Sequence, residues 1–208
     1  LIAMDPATGD LRWRLNAGGR PMYDQCPAIG ADGTIYIGHS TGSLAEVWAV
    51  NPDGSRKWRA PDSDLSDGTG VSLARDGTIY STFRRVGGAM LTAITPEGQI
   101  AWQSPLVGVP TFSPSVDPEG RLYLQTIVPG SGDAVLECYD AAGARLWDTR
   151  LPARGGWAVS SVVIDGNGNL YMIPRDDSTT TMRLLSYTRD GARRWQFDFY
   201  WSVNHQVP

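Results

Sequence analysis

Apolar positions in this chain come in short runs of three or four residues, and the runs are separated by turns rich in Asp, Gly and Pro. One set of runs is Pro27-Ala28-Ile29, Gly70-Val71-Ser72-Leu73, Pro114-Ser115-Val116 and Ser161-Val162-Val163-Ile164. Each leads into a turn: Asp32-Gly33, Asp76-Gly77, Glu119-Gly120 and Asp165-Gly166-Asn167-Gly168. A second run follows at once, as Thr34-Ile35-Tyr36-Ile37, Thr78-Ile79-Tyr80, Arg121-Leu122-Tyr123-Leu124 and Asn169-Leu170-Tyr171-Met172. Asp-Gly between two strand-like runs is a hairpin signal, because Gly takes positive φ without steric cost. No window sustains a 3.6-residue apolar period, so the pattern predicts strands and essentially no helix.

The runs recur on a fixed beat. Trp13, Trp58, Trp102, Trp147 and Trp195 are 45, 44, 45 and 48 residues apart. Tyr36, Tyr80, Tyr123 and Tyr171 keep the same rhythm half a unit away. A third strand carries a small residue at a fixed place, Ala3, Ala49, Ala93, Cys138 or Ser186, before a second turn often of Pro-x-Gly type. The fourth strand is expected to end on the periodic Trp. Four short strands per unit of this length predict an all-β propeller of four-stranded antiparallel blades. A single such sheet cannot bury both faces, so blades must stack. The large aromatic and the small residue are the expected interlocking parts.

The stretch from Leu1-Ile2-Ala3-Met4-Asp5-Pro6-Ala7-Thr8-Gly9 to Trp13 resembles the repeat named after pyrroloquinoline quinone (PQQ), as do Val47–Trp58 and Leu136–Trp147. The resemblance covers nearly the whole chain. It implies a seven- or eight-bladed propeller of the kind found in quinoprotein dehydrogenases and in the propeller lipoprotein of outer-membrane β-barrel assembly. It leans towards a bacterial periplasmic, outer-envelope or secreted location. Quinoprotein dehydrogenases hold their cofactor with a vicinal Cys pair, a stacking Trp and a calcium ion. This chain has only Cys26 and Cys138, far apart. The resemblance therefore carries over the fold, with no cofactor and no metal expected.

The repeats divide the chain into a half blade over 1–15, blades over 21–60, 66–104, 110–150 and 156–197, and a link over 198–208. The reading is four complete blades plus one half blade: an open arc, or a segment of a longer ring completed by further blades of a parent chain. The alternative is an arc that closes on a second copy.

Composition narrows the function by exclusion. The 208 residues carry 18 basic and 22 acidic side chains. Near balance without charge runs predicts no nucleic-acid stripe and no polybasic membrane patch. No apolar stretch is long enough for a membrane span. The two cysteines are expected to be packed small side chains and not a disulfide.

Two motifs match chemistry superficially. Gly38-His39-Ser40-Thr41-Gly42 fits G-x-S-x-G, but that nucleophile elbow needs a strand before it and a helix after. Here a strand is expected on both sides. Asp165, Asn167 and Asn169 have calcium-loop spacing, but Leu170 stands where a Gly is needed, and the same place in other repeats is a tight turn. His39 and His205 have no partner at metal-ligand spacing.

No complete catalytic set emerges, so the chain is expected to be a non-enzymatic scaffold or recognition module. The alternative is a fragment of a quinoprotein-like oxidoreductase whose catalytic residues lie outside it. Turns one and three of each blade are nearly constant, whereas the connections on the other side vary and carry aromatic and polar residues. Loops on a rigid scaffold are where function usually sits. Tyr23, Trp157, Tyr200, Trp201 and His205 are the candidate contacts for a protein, peptide or glycan partner. Trp157 and Trp201 could equally pack against the next blade.

Overall fold

The computed structural model describes residues 1–16, 26–40, 44–61, 67–155, 160–174, 176 and 181–200, with backbone only at Ser40, Pro61, Asp67, Thr181 and Tyr200. All regular structure among them is β. β1 (Ile2–Met4) and β2 (Leu11–Arg14) form a two-stranded sheet. Sheet A follows, from β3 (Ala28–Ile29), β4 (Ile35–Ser40), β5 (Ala45–Val50) and β6 (Arg56–Pro61). Sheet B holds β7 (Asp67–Leu73), β8 (Ile79–Arg85), β9 (Gly88–Ile94) and β10 (Ile100–Pro105). Sheet C holds β11 (Val109–Pro110), β12 (Ser115–Val116), β13 (Leu122–Ile127), β14 (Asp133–Tyr139) and β15 (Arg145–Arg154). Sheet D closes the series with β16 (Val163–Ile164), β17 (Leu170–Met172), β18 (Thr181–Tyr187) and β19 (Arg193–Tyr200). Apart from β11 and β12, which both pair with β13, strands pair antiparallel in chain order, so the architecture is four propeller blades and a two-stranded half blade in an open arc.

One local expectation is corrected, and one strand is added. The expected first strand of sheet C is β12, and an additional short strand, β11, pairs separately with β13 before it. Pro110 and Pro114 lack the N–H that an unbroken ladder requires. The fourth strands do not end on the periodic Trp. In sheets A to D it is the third residue of its strand, and pairing continues beyond it, as between Pro105 and Met90. The Trp is therefore held at the turn end of the blade, where it can reach a neighbour.

Register explains the three-residue rhythm. Each small residue lies directly opposite both aromatics of its blade: Ala49 faces Tyr36 and Trp58, Ala93 faces Tyr80 and Trp102, Cys138 faces Tyr123 and Trp147, and Ser186 faces Tyr171 and Trp195. Directly opposed residues share a sheet face. A side chain no larger than a thiol leaves the two rings free to meet over it, with centroids 5.8–6.1 Å apart. In all five hairpins between third and fourth strands a β-bulge follows the small residue. Such a bulge re-aims the strand that carries the Trp.

The aromatic face of one blade packs on the opposite face of the next. Tyr36, Val47 and Ala49 meet Val71, Ile79 and Ile94; Tyr80, Leu91 and Ala93 meet Leu122, Leu124 and Tyr139; Tyr123, Leu136 and Cys138 meet Leu170, Leu185 and Tyr187. Inner strands are also tied across blades, by the Ser72 hydroxyl donating to the Pro114 carbonyl and the Ser115 hydroxyl to that of Val162. Both cysteines are free. Cys138 is buried as expected, but Cys26 is exposed, because it lies in the approach to β3, outside the sheet.

Candidate interaction faces

One side of the arc is uniform. The connections between first and second strands span 30–34, 74–78, 117–121 and 165–169; those between third and fourth strands span 51–55, 95–99, 140–144 and 188–192. All eight are five residues long and share one hydrogen-bond scheme, in which the first N–H donates to the fifth carbonyl and the fourth, a glycine, donates back to the first. Aspartates brace many of them. The Asp165 carboxylate accepts from the Asn167 and Asn169 amides, the Asn169 side chain and the Tyr171 hydroxyl, at 2.8–2.9 Å. These bonds hold its carboxyl far below the ordinary range, the Asn169 side chain contributing most. Asp32 is lowered to about 2, first by the Thr34 hydroxyl, then by the Thr34 amide and Lys57. The calcium-like spacing at Asp165, Asn167 and Asn169 is thus a saturated tight turn.

The periodic Trp uses these turns as sockets. Trp13 lies on the turn of sheet A, where a Cβ at Gly54 would fall 2.6 Å from the indole. Gly98 takes Trp58 at 2.7 Å, Gly143 takes Trp102 at 2.6 Å and Gly191 takes Trp147 at 3.0 Å. All four glycines have φ between 84° and 87°, a conformation that only Gly adopts without strain. The first three indoles also donate Nε1–H to a carbonyl of the same turn: Pro52 at 2.8 Å, Pro96 at 2.8 Å and Ala141 at 3.0 Å. Trp147 departs from this. Its Nε1 is buried without a hydrogen-bond partner, and its turn has Arg189 where the others have Pro or Ala. Arg189 instead reaches back across the blade boundary to Asp117 and Glu119, while Arg121 pairs with Asp190.

The opposite side is irregular. Of the connections between second and third strands, those described in full span 86–87 and 128–132. Val86 stands fully exposed at the tip of the two-residue hairpin. At the loop end of sheet C, buried Asp133 accepts from Arg154 at 2.9 Å and pairs with Arg150 at 2.8 Å, both guanidiniums largely in solvent. Its carboxyl is lowered, chiefly by Arg154. Two further carboxylates are buried inside blades. Glu137 accepts from Thr126 at 2.5 Å, Tyr139 at 2.7 Å and the Val107 amide at 3.0 Å. Glu46 accepts from Trp48 Nε1 at 2.7 Å, with Arg59 at 3.5 Å and His39, stacked on Trp48, at 3.7 Å. Sequence reasoning missed these carboxylates. The available signal was a lone Glu inside an apolar strand, in Ala45-Glu46-Val47-Trp48 and Leu136-Glu137-Cys138.

Among the sequence-predicted contacts, Tyr23, Trp157, Trp201 and His205 lie outside the described residues, and Tyr200 is described only as the backbone partner of Thr181 at the end of β19. Gly38, His39 and Ser40 of the G-x-S-x-G match are the end of β4. His39 pairs with Glu46 and Ser40 with Ala45, in place of the strand-to-helix elbow. Among the described residues no group of three or more His, Cys, Asp or Glu is arranged to hold a metal ion, and no helix is long and apolar enough to cross a membrane.

Solved structures share the fold at low identity. A streptogramin B lyase superposes with a TM-score of 0.67 at 15% identity, over 98% of this chain and 62% of its own. A hydrazine synthase from Kuenenia stuttgartiensis gives 0.68 at 15%, over 92% of this chain and 58% of its own. A gluconolactonase from Xanthomonas campestris gives 0.51 at 19%, over 94% and 63%. This chain therefore spans about three fifths of the length of these structures. At such identity they share an architecture that serves enzymes as well as other proteins. No curated protein sequence matches the chain. The family model described as outer membrane protein assembly factor BamB matches residues 1–111, more than half of the sequence, and with its PQQ-type repeats and its blades the chain belongs to that propeller family.

Proposed function

We propose that this chain is a non-catalytic propeller scaffold of the bacterial envelope, and that it recognises a protein partner through its loop face. One observation carries the reading: the contrast between the two faces. Eight turns of identical length and hydrogen bonding occupy one side, four of them locked by Trp–Gly contacts. On the other side the two fully described connections between second and third strands differ in length, two residues at 86–87 and five at 128–132. A rigid frame that varies only along one rim is suited to presenting contacts. Membership of a family described as an outer membrane protein assembly factor supports a protein as the partner and the envelope as the place. In this reading Tyr23, Trp157, Tyr200, Trp201 and His205 are anchors on the loop side, together with Val86.

The test is a binding measurement against an immobilised outer-membrane protein assembly complex. Trp157→Ala, Trp201→Ala and Val86→Asp should each weaken binding, by roughly tenfold or more where the residue is an anchor. Their melting temperatures should stay unchanged, and Asp53→Lys on the turn face should bind as the parent does. Lower melting temperatures with unchanged affinity would instead assign the aromatics to packing.

A further inference from the structure

Three blade boundaries hold the periodic indole in one way, and the boundary between sheets C and D holds it in another. Trp13, Trp58 and Trp102 each donate Nε1–H to a carbonyl of the facing turn, and a Cβ at the glycine of that turn would fall 2.6–2.7 Å from the ring. Between Gly191 and Trp147 the same distance is 3.0 Å, and the indole bond is missing. Charges stand in for it. Arg121 of sheet C pairs with Asp190 of sheet D at 3.1 Å. In return, Arg189 of sheet D reaches Glu119 at 3.4 Å and Asp117 at 3.6 Å on sheet C. Among the described residues, every ion pair that joins two different blades lies at this boundary; the others stay within one blade.

This exchange leaves two donors unserved. Trp147 Nε1 and Arg189 Nε are both buried without a hydrogen-bond partner, which costs their desolvation. An arrangement that the molecule builds at its three other boundaries would serve both. The turn closes on the indole, the Arg189 carbonyl accepts Nε1–H from the place of Pro52, Pro96 and Ala141, and the Arg189 side chain swings out to water. Asp117 stays satisfied when the arginine leaves. It accepts from the Glu119 and Arg121 amides at 3.0 and 2.8 Å and from the Tyr123 hydroxyl at 3.1 Å, all within sheet C. We propose that the boundary between sheets C and D is a two-state ionic clasp. In the closed state, the one in this structure, Arg189 lies on Asp117 and Glu119. In the released state the indole bond of the other three boundaries takes its place. Each state has contacts that the other lacks, which is the condition for shifting their populations. Ionic strength is the lever, since salt weakens the ion pairs and leaves the neutral indole bond untouched. In 1 M salt the Debye length falls to about 3 Å, the length of the pairs themselves. The clasp gives the arc one adjustable joint among fixed ones.

Nitrogen–proton correlation NMR of the indole N–H groups across a sodium chloride titration tests this. Trp147→Phe identifies the Trp147 signal as the one that disappears, and Trp58→Phe and Trp102→Phe identify theirs. Between about 20 mM and about 1 M salt the Trp147 proton should move downfield, as a proton gaining an acceptor does, while the Trp58 and Trp102 signals hold still. Arg189→Ala gives this turn the residue that Ala141 supplies at the neighbouring boundary. It should place the Trp147 signal at its high-salt position already at low salt and abolish the titration. A Trp147 signal that salt does not move in the parent would overturn the proposal. So would an Arg189→Ala signal that keeps the parent's low-salt position, or Trp58 and Trp102 signals that shift in step with Trp147, since that is a general effect of salt.

Discussion

Each periodic indole makes two separable contributions, apolar contact with a glycine turn and a hydrogen bond from Nε1. Trp58 makes both, with Pro96 O at 2.8 Å, whereas the buried Nε1 of Trp147 has no acceptor. Trp58→Phe should therefore cost about 1–2 kcal/mol more in denaturant unfolding than Trp147→Phe, since only the first breaks a bond. Equal losses would mean that ring contact alone matters. The Trp rhythm and the small residues were plain in the sequence, because they repeat with little variation in spacing. Their sockets were not. Gly54, Gly98 and Gly143 lie about 40 positions after the indoles that cover them, in turns whose Gly already has a local explanation. Glu46 and Glu137 were equally hidden, since strand alternation does not reveal which polar side chain is enclosed.

At the scale of the element, the hairpin turn is the conserved unit of construction within this molecule. Asp5, Asp32, Asp53 and Asp165 all have lowered carboxyl pKa values from bonds within or beside their own turns, first to the Arg12 side chain of β2 for Asp5 and to the Ser55 side chain for Asp53. A carboxyl depressed in the folded state adds stability above its unfolded pKa, 3.8 for Asp, and loses it as pH falls towards the folded value, about 2 for Asp32. The melting temperature should hold steady above about pH 5 and fall between about pH 4 and pH 2. Asp165→Asn should make that fall shallower, and a profile identical to the parent's would remove the turn carboxylates as its cause. Turn positions were legible from Asp-Gly and Pro-x-Gly spacing. Strand limits were less so: the split of β11 from β12 follows from prolines whose effect depends on which neighbour they would have paired with.

Across the whole molecule, order follows from stacking. Among the described residues, sheets B and C pack against neighbours on both faces, whereas the β1–β2 pair and sheet D each do so on one. In repeat proteins stability is close to a sum of unit and neighbour terms. Amides of β8, β9, β13 and β14 should therefore exchange with deuterium most slowly and those of β1 and β2 fastest, as read by hydrogen-exchange mass spectrometry; uniform protection would contradict stepwise stacking. By itself the sequence determined the class of fold, the blade period, the turn chemistry and the aromatic–small–aromatic stripe. These are local or periodic properties, written in residues a few positions or one repeat apart. Only the tertiary structure decided which glycine each indole covers and which carboxylates are enclosed. Those depend on surfaces brought together from different blades, and no spacing along the chain encodes whether such a surface finds a neighbour.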